Sequence, residues 1–283
     1  MRPNKTRHLV ARAAEILRDA GVDTPEVDAR ELAAFLLDVA PLAVFATDPP
    51  EGFEADYAAA VARRATREPL QHITGAAYFG PLELSVGPGV FVPRPETEVL
   101  ADWAVRVLEG VDKPIVVDLG TGSGALAIFI AHARADASVT AVDLSPAARR
   151  YAASNAVRNG VGLTVVEGDM TDPGLLAHLS GTVNLVVANP PYVPETPDLS
   201  PEVYFDPHEA VFSGADGMEA IRGLVPVAAR LLAPGGRLGI EHDDSTSRAV
   251  ADEVRAHGAF GPPDVLDDLT GRARFVTASK VNR

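Results

Sequence analysis

The 283-residue chain contains no cysteine. Disulfides, thiolate zinc sites and cysteine nucleophiles are thereby excluded, and a cytoplasmic address is the expectation that fits. Positive charge is also short: 25 Lys and Arg stand against 39 Asp and Glu, a formal net charge of -14. Binders of duplex nucleic acid draw affinity from phosphate neutralisation by a basic stripe. Nucleic acid is therefore disfavoured as the main partner, whereas a cationic cofactor or a basic protein suits the acidic balance. No apolar run approaches the ~20 residues needed to span a bilayer, so no membrane span is expected. The basic start Met1-Arg2-Pro3-Asn4-Lys5 leads into an amphipathic pattern without the apolar stretch of a signal peptide. The histidines lack metal-ligand spacing, so His72, His208 and His242 are expected to be structural or exposed and no metal site is expected.

What is present is enough for a packed core: hydrophobic residues make up 47% and charged residues 23%. The length favours a large domain with a smaller one. In the first 70 residues, Leu9, Ala13, Ile16, Leu17 and Ala20 share a helical face that Gly21 stops. Thr24-Pro25-Glu26 then supplies an N-cap, a Pro at the first helical position and an acid in the first turn. Val27, Leu32, Phe35, Leu36 and Val39 stripe a second helix, and Phe53, Tyr57, Ala60 and Val61 a third. Residues 1–70 therefore read as a small helical domain, 71–92 as a hairpin linker, and 93–283 as a larger domain.

From Pro114 onward strands alternate with helices. Ile115-Val116-Val117, Val139 to Val142, Leu163 to Val166, Asn184 to Ala188, Arg237 to Glu241 and Arg274 to Ala278 read as strands, with Pro234-Gly235-Gly236 as a turn. Helices fall at Ala125 to Ala133, Pro146 to Asn159 (capped by Ser145), Met218 to Leu232 and near Ser245 to His257. Alternation of this kind specifies an α/β fold, a parallel sheet covered by helices on both faces.

Asp118-Leu119-Gly120-Thr121-Gly122-Ser123-Gly124 lies between the first of these strands and its helix. Glycines there permit a tight turn and close backbone approach to a ligand at a helix N-terminus. A triphosphate loop requires Gly-Lys-Ser/Thr, and no Lys is present; a dinucleotide loop requires glycines spaced G-x-G-x-x-G, and here they are G-x-G-x-G. Asp118 beside the loop would repel a pyrophosphate but suits a cation, which favours the sulfonium of S-adenosylmethionine. Asp143 closes the next strand, where an acid accepts from ribose hydroxyls. Asp169 and Met170 follow the third, where Asp169 can take an adenine amine and Met170 can pack on the ring.

Asn189-Pro190-Pro191-Tyr192 follows the apolar run Leu185-Val186-Val187-Ala188. Two prolines end the strand and remove two backbone donors in succession. The turn presents carbonyls, an amide and a phenol, a surface suited to a planar –NH2 group. Asn189 Oδ1 and the Pro190 carbonyl can each accept one of its hydrogens, with Pro191 stiffening the turn and Tyr192 covering the amide plane. An adenine amine presents the same group, so a nucleobase methyltransferase is one alternative, and a non-catalytic scaffold is another.

Several segments together resemble the peptide chain release factor N(5)-glutamine methyltransferases, the PrmC/HemK group. They are Arg67 to Gly75, Phe91-Val92-Pro93-Arg94-Pro95-Glu96-Thr97-Glu98, the glycine loop, Val186 to Val193, Glu202 to Pro207 and Gly214-Ala215-Asp216-Gly217-Met218. The resemblance implies a class I methyltransferase fold, Rossmann-like and mostly parallel, with a small N-terminal helical domain. It further implies S-adenosylmethionine as donor and the glutamine of the release factor Gly-Gly-Gln motif as acceptor; a ribosomal-protein glutamine is the sibling alternative. For Arg94 and Glu96 it implies a place near substrate or cofactor, and an inter-domain ion pair accounts for them equally well. Where many members carry Gly and Gln after a strand-end Glu, this chain reads Glu241-His242-Asp243-Asp244, and no role is transferred to those positions.

Overall fold

The computed structural model describes residues 5–195 and 199–281; Met1 to Asn4, the start of the chain read above for a signal peptide, lie outside them. Its described residues divide between two compact units, one drawn from Met1–Ala76 and Ser200–Phe205, the other from Ala77–Leu199 and Asp206–Arg283.

The first unit contains helices α1 (Lys5–Asp19), α2 (Pro25–Leu37), α3 (Phe53–Ala65) and α4 (Leu70–Thr74). Gly21 stops the first helix in the left-handed region, with the Val22 N–H donating back to the Leu17 carbonyl. Leu17, Leu32, Phe53, Tyr57 and Val61 are buried together. The buried stripes are narrower than the sequence pattern suggests: Ile16, Val27 and Phe35 are exposed, while Ala13, Ala14, Ala29 and Ala33 are buried. Small residues let neighbouring helices approach closely, and that contact outranks side-chain hydrophobicity. Thr24 does not cap α2 with its side chain; its hydroxyl donates to Asp28 Oδ1 at 2.8 Å. The buried Asp28 also accepts from Arg64 Nε at 2.7 Å, and Glu202 accepts from Arg64 and Arg67 within the same unit.

A hairpin follows, β1 (Ala76–Phe79) and β2 (Leu82–Ser85), which from Ala77 onward belongs to the second unit, and then α5 (Thr97–Val107). Then come β3 (Ile115–Leu119), α6 (Ala125–Ala133), β4 (Ser138–Asp143), α7 (Pro146–Arg158), β5 (Thr164–Glu167) and β6 (Val183–Ala188). After α8 (His208–Val211) and α9 (Glu219–Leu231), the chain forms β7 (Leu232–Glu241), α10 (Ser247–His257), β8 (Asp264–Asp267) and β9 (Ala273–Ser279). The expected Pro234-Gly235-Gly236 turn lies inside β7 as a jump in register: Val183 faces Leu232, and Leu185 faces Arg237.

The sheet is 7-stranded in the order β5-β4-β3-β6-β7-β9-β8. The first five run parallel, and β9 and β8 close one edge antiparallel. Successive strand residues face opposite sides. Val117, Leu119, Val186, Ala188 and Ile240 pack with Leu224, Val225 and Val250 on one face. Val116, Leu185, Val187 and Phe275 pack with Leu100, Ala104 and Ile128 on the other. From β3 the chain builds outward to β4 and β5, then returns to place β6 on the other side of β3. That reversal opens a crevice beyond the carboxyl ends of β3 and β6, where open α/β sheets bind ligands.

Candidate active site

The glycine loop leaves β3 at this crevice. The Gly120 and Thr121 N–H groups both donate to the Val142 carbonyl at 2.9 Å, and Gly120, Gly122 and Gly124 have φ of 77°, 56° and 88°. A Cβ on Gly120 would lie 2.6 Å from Met170 Cε and 3.8 Å from the Asn189 carbonyl oxygen. One on Gly122 would meet nothing within 4 Å. The first approach brings the loop, Met170 and Asn189 to a single point, and the second leaves open space over the loop. Ser123 is buried, and its carbonyl accepts from Asn155 Nδ2 at 2.9 Å, which anchors the loop to α7.

Asp118 is buried behind the loop, with Oδ2 accepting from the Thr121 hydroxyl at 2.6 Å and Oδ1 lacking a hydrogen bond. Burial pushes its carboxyl up to about 7, against the pull of the Thr121 hydroxyl. Asp143 at the end of β4 accepts the Gly122 N–H and the Ser145 N–H, each at 2.8 Å. Each of its oxygens keeps a second lone pair for a ligand hydroxyl. Burial raises this carboxyl too, while the two N–H groups and Arg149 oppose the rise. Asp169 is exposed after β5 and turns Oδ1 back to the Thr171 N–H and hydroxyl.

At the end of β6, Asn189 is half-buried and Pro190 buried. Asn189 Nδ2 donates to Thr97 Oγ1 at 3.3 Å. The Thr97 hydroxyl donates to Glu241 Oε2 at 2.7 Å, and the Tyr192 hydroxyl donates to Glu241 Oε1 at 3.3 Å. Burial pushes Glu241 up to about 7, opposed by Thr97, Tyr192 and Arg274 and reinforced by Glu96. Burial also raises the Tyr192 phenol. Beyond the motif, the Val193 N–H donates to the Val211 carbonyl and the Ser213 N–H to the Val193 carbonyl, so the C-terminal end of the turn is held at Val193.

Sequence reasoning missed Thr97 and Glu241. The signal was there in part: Glu241 is an acid ending the apolar run Leu238 to Ile240, as Asp118 and Asn189 end theirs. Arg94 pairs with Asp206 at 2.7 Å and lies over the Phe91 ring. The buried Asp206 also accepts the Val92 N–H at 3.2 Å, so this ion pair is a brace beneath the approach to α5. Glu96 stands at the N-terminus of α5, acting on Glu241 through charge.

A parallel sheet with this reversal, a glycine loop after β3 and an Asn-Pro-Pro-Tyr turn after β6 define a class I S-adenosylmethionine-dependent methyltransferase. Family models match in two stretches: "PrmC N-terminal domain" over residues 8–75 and "Methyltransferase small domain" over residues 86–202. The chain is 57% identical to the release factor glutamine methyltransferase of Corynebacterium glutamicum, over 95% of this chain and 96% of that one. It is 48% identical to that of Mycolicibacterium smegmatis, over 99% of both. Among solved structures, the T. thermophilus 16S rRNA N2 G1207 methyltransferase in complex with AdoMet and guanosine shares the fold. It gives a TM-score of 0.53 at 21% identity, covering 72% of this chain and 49% of that one. The chain belongs to the release factor glutamine methyltransferase family.

Proposed function

We propose that this protein transfers a methyl group from S-adenosylmethionine to the side-chain amide nitrogen of the glutamine in the Gly-Gly-Gln motif of peptide chain release factors. The observation that carries the reading is the polarity of Asn189. Its Nδ2 is turned to Thr97, which leaves Oδ1 to accept from an –NH2 group at the crevice. The Asn189 carbonyl lies beside the glycine loop and Met170, so an amine gripped there is next to the cofactor position.

The residues fit S-adenosylmethionine. Open space over Gly122, spare lone pairs on Asp143, and the exposed Asp169 beside Met170 match its amino-acid tail, ribose and adenine, with Asp118, Thr121, Ser123 and Gly124 shaping the loop. Bound there, it supplies an electrophilic methyl group on a sulfonium. An amide nitrogen is a poor nucleophile because its lone pair is delocalised into the carbonyl. Asn189 Oδ1 and the Pro190 carbonyl each accept one hydrogen of the glutamine –NH2, which aims the remaining valence at the methyl carbon. Pro190 and Pro191 fix these acceptors before substrate arrives, so little reorganisation remains at the moment of transfer. Alignment at roughly 3–3.5 Å contributes several kcal/mol. Tyr192 would cover the amide plane and exclude water. The C–S bond of the sulfonium would break as the C–N bond formed, leaving a neutral thioether, and the nitrogen would then lose its extra proton to solvent. The helical unit docks the protein substrate, and the reaction takes place in the cytoplasm, on the machinery of translation termination.

The test is Asn189→Ala. S-adenosylmethionine affinity by calorimetry should stay within about threefold while methyl transfer falls by roughly two to three orders of magnitude, the cost of one preorganised polar contact. Near-normal turnover would defeat the assignment.

A further inference from the structure

Glu241 is a buried carboxylate whose two oxygens reach two different parts of the site. An ionised carboxylate only accepts hydrogen bonds. The Thr97 hydroxyl must then spend its single proton on Glu241 Oε2, at 2.7 Å. Only lone pairs of Thr97 Oγ1 remain for Asn189, so the amide must present Nδ2 to Thr97 and Oδ1 to the crevice, as observed at 3.3 Å. The donor and acceptor capacities of Glu241 and Thr97 thus fix the amide orientation of Asn189. A proton placed on Oε1, toward Tyr192, leaves the Thr97 side of this chain unchanged. Tyr192, the aromatic wall of the turn, is tied to the same carboxylate at 3.3 Å.

We infer that Glu241 is a positioning residue that sets the polarity of Asn189 through Thr97 and anchors Tyr192, so that one buried carboxylate orients both sides of the acceptor pocket. Thr97 is the transmitting group, held by its own N–H on the Arg94 carbonyl at 3.2 Å. This inference rests on the glutamine-amide reading above and adds the group that gives Asn189 its direction.

The chain predicts distinct outcomes for each link. Thr97→Val removes the acceptor for Nδ2 and frees the amide to turn over. Turnover should fall about 10- to 100-fold, the scale of a misplaced reacting group, while S-adenosylmethionine affinity holds and the melting temperature drops only by the few degrees that one unpaired buried acceptor costs. Thr97→Ser keeps the hydroxyl and should restore turnover to within about threefold. Glu241→Leu should lose as much as Thr97→Val, because the Thr97 hydroxyl, without its acceptor, can donate to Asn189 Oδ1 and reverse the chain, whereas Glu241→Gln, whose Oε1 can still accept from Thr97, should retain more turnover than Glu241→Leu. The double variant Thr97→Val with Asn189→Ala should be no slower than Asn189→Ala alone, since both act at one group. Wild-type turnover in Thr97→Val, or full additivity in the double variant, would overturn the inference.

A second measurement is independent of the acceptor. In the protein alone, NMR of the Asn189 side-chain amide should show one Hδ2 exchanging with solvent at least about tenfold more slowly than exposed asparagines. That protection should vanish in Thr97→Val and persist in Thr97→Ser. If the wild type methylates no release factor, the proposed function fails, and this exchange experiment still decides the polarity. Equal exchange in the wild type and Thr97→Val would overturn it.

Discussion

Gly217 ties the Asn-Pro-Pro-Tyr turn to the segment that precedes α9, and Gly217→Ala tests that tie. Gly217 has φ of 73°, and a Cβ built there would lie 2.2 Å from the Tyr192 carbonyl oxygen, 3.1 Å from its carbon and 3.2 Å from Pro194 Cδ. Two costs follow. An L-residue in the left-handed region costs about 1–2 kcal/mol. Overlap with backbone, which cannot rotate aside as a side chain does, adds about 1–3 kcal/mol. The sum, about 2–5 kcal/mol, is a large part of a typical domain stability and corresponds to a melting-temperature drop of order 10 °C. Relief requires the Tyr192 carbonyl to move by about 1 Å, a displacement that can cost about 100-fold in rate. The comparison variant is Gly235→Ala, with φ of 77° and nothing within 4 Å of the added Cβ. It should incur the conformational cost alone and turn over as wild type. Calorimetric melting and single-turnover methyl transfer on both proteins provide the assay. If Gly217→Ala is as stable and as fast as Gly235→Ala, the account of how the turn is held is refuted.

Two further predictions concern the loop. Asp143→Ala removes the acceptor for the Gly122 and Ser145 N–H groups, so cofactor affinity by calorimetry should weaken by about tenfold or more, at about 1.4 kcal/mol per decade; unchanged affinity would count against the ribose role. Asp118 titrates at about 7 when folded, against 3.8 for the free group. The folded state therefore holds the extra proton between those values, and its stabilising effect, full below about pH 4, is lost as pH rises through 7. Asp118→Asn should accordingly gain stability over wild type at pH 8 relative to pH 5, by an amount of order a few kcal/mol; parallel denaturation curves across that range would refute the buried carboxyl.

The catalytic unit was largely legible because its signals are local. The strands β3, β4 and β6 are apolar runs closed by a polar residue, and the glycine loop and the Asn-Pro-Pro-Tyr turn sit directly at their ends. Glu241 and Thr97 escaped because their contact spans 144 residues of sequence, and nothing at either position alone announces it. β8 escaped for a different reason: most of its residues are exposed, so it carries no apolar pattern. In the helical unit, Ile16, Val27 and Phe35 drew the eye by hydrophobicity, but the alanines beside them are the residues the helices bury. The segment Gly214 to Met218 stood out in sequence without a reason, and the approach of Gly217 to the Tyr192 carbonyl supplies one.

The central claim is that the Asn189 site methylates a protein glutamine. The most direct measurement offers purified release factor and duplex DNA separately to the enzyme with isotope-labelled S-adenosylmethionine, followed by peptide mass spectrometry of the Gly-Gly-Gln segment. One added methyl group on that glutamine, absent with Asn189→Ala, is the predicted result. Label in the DNA with none on the release factor would contradict the account.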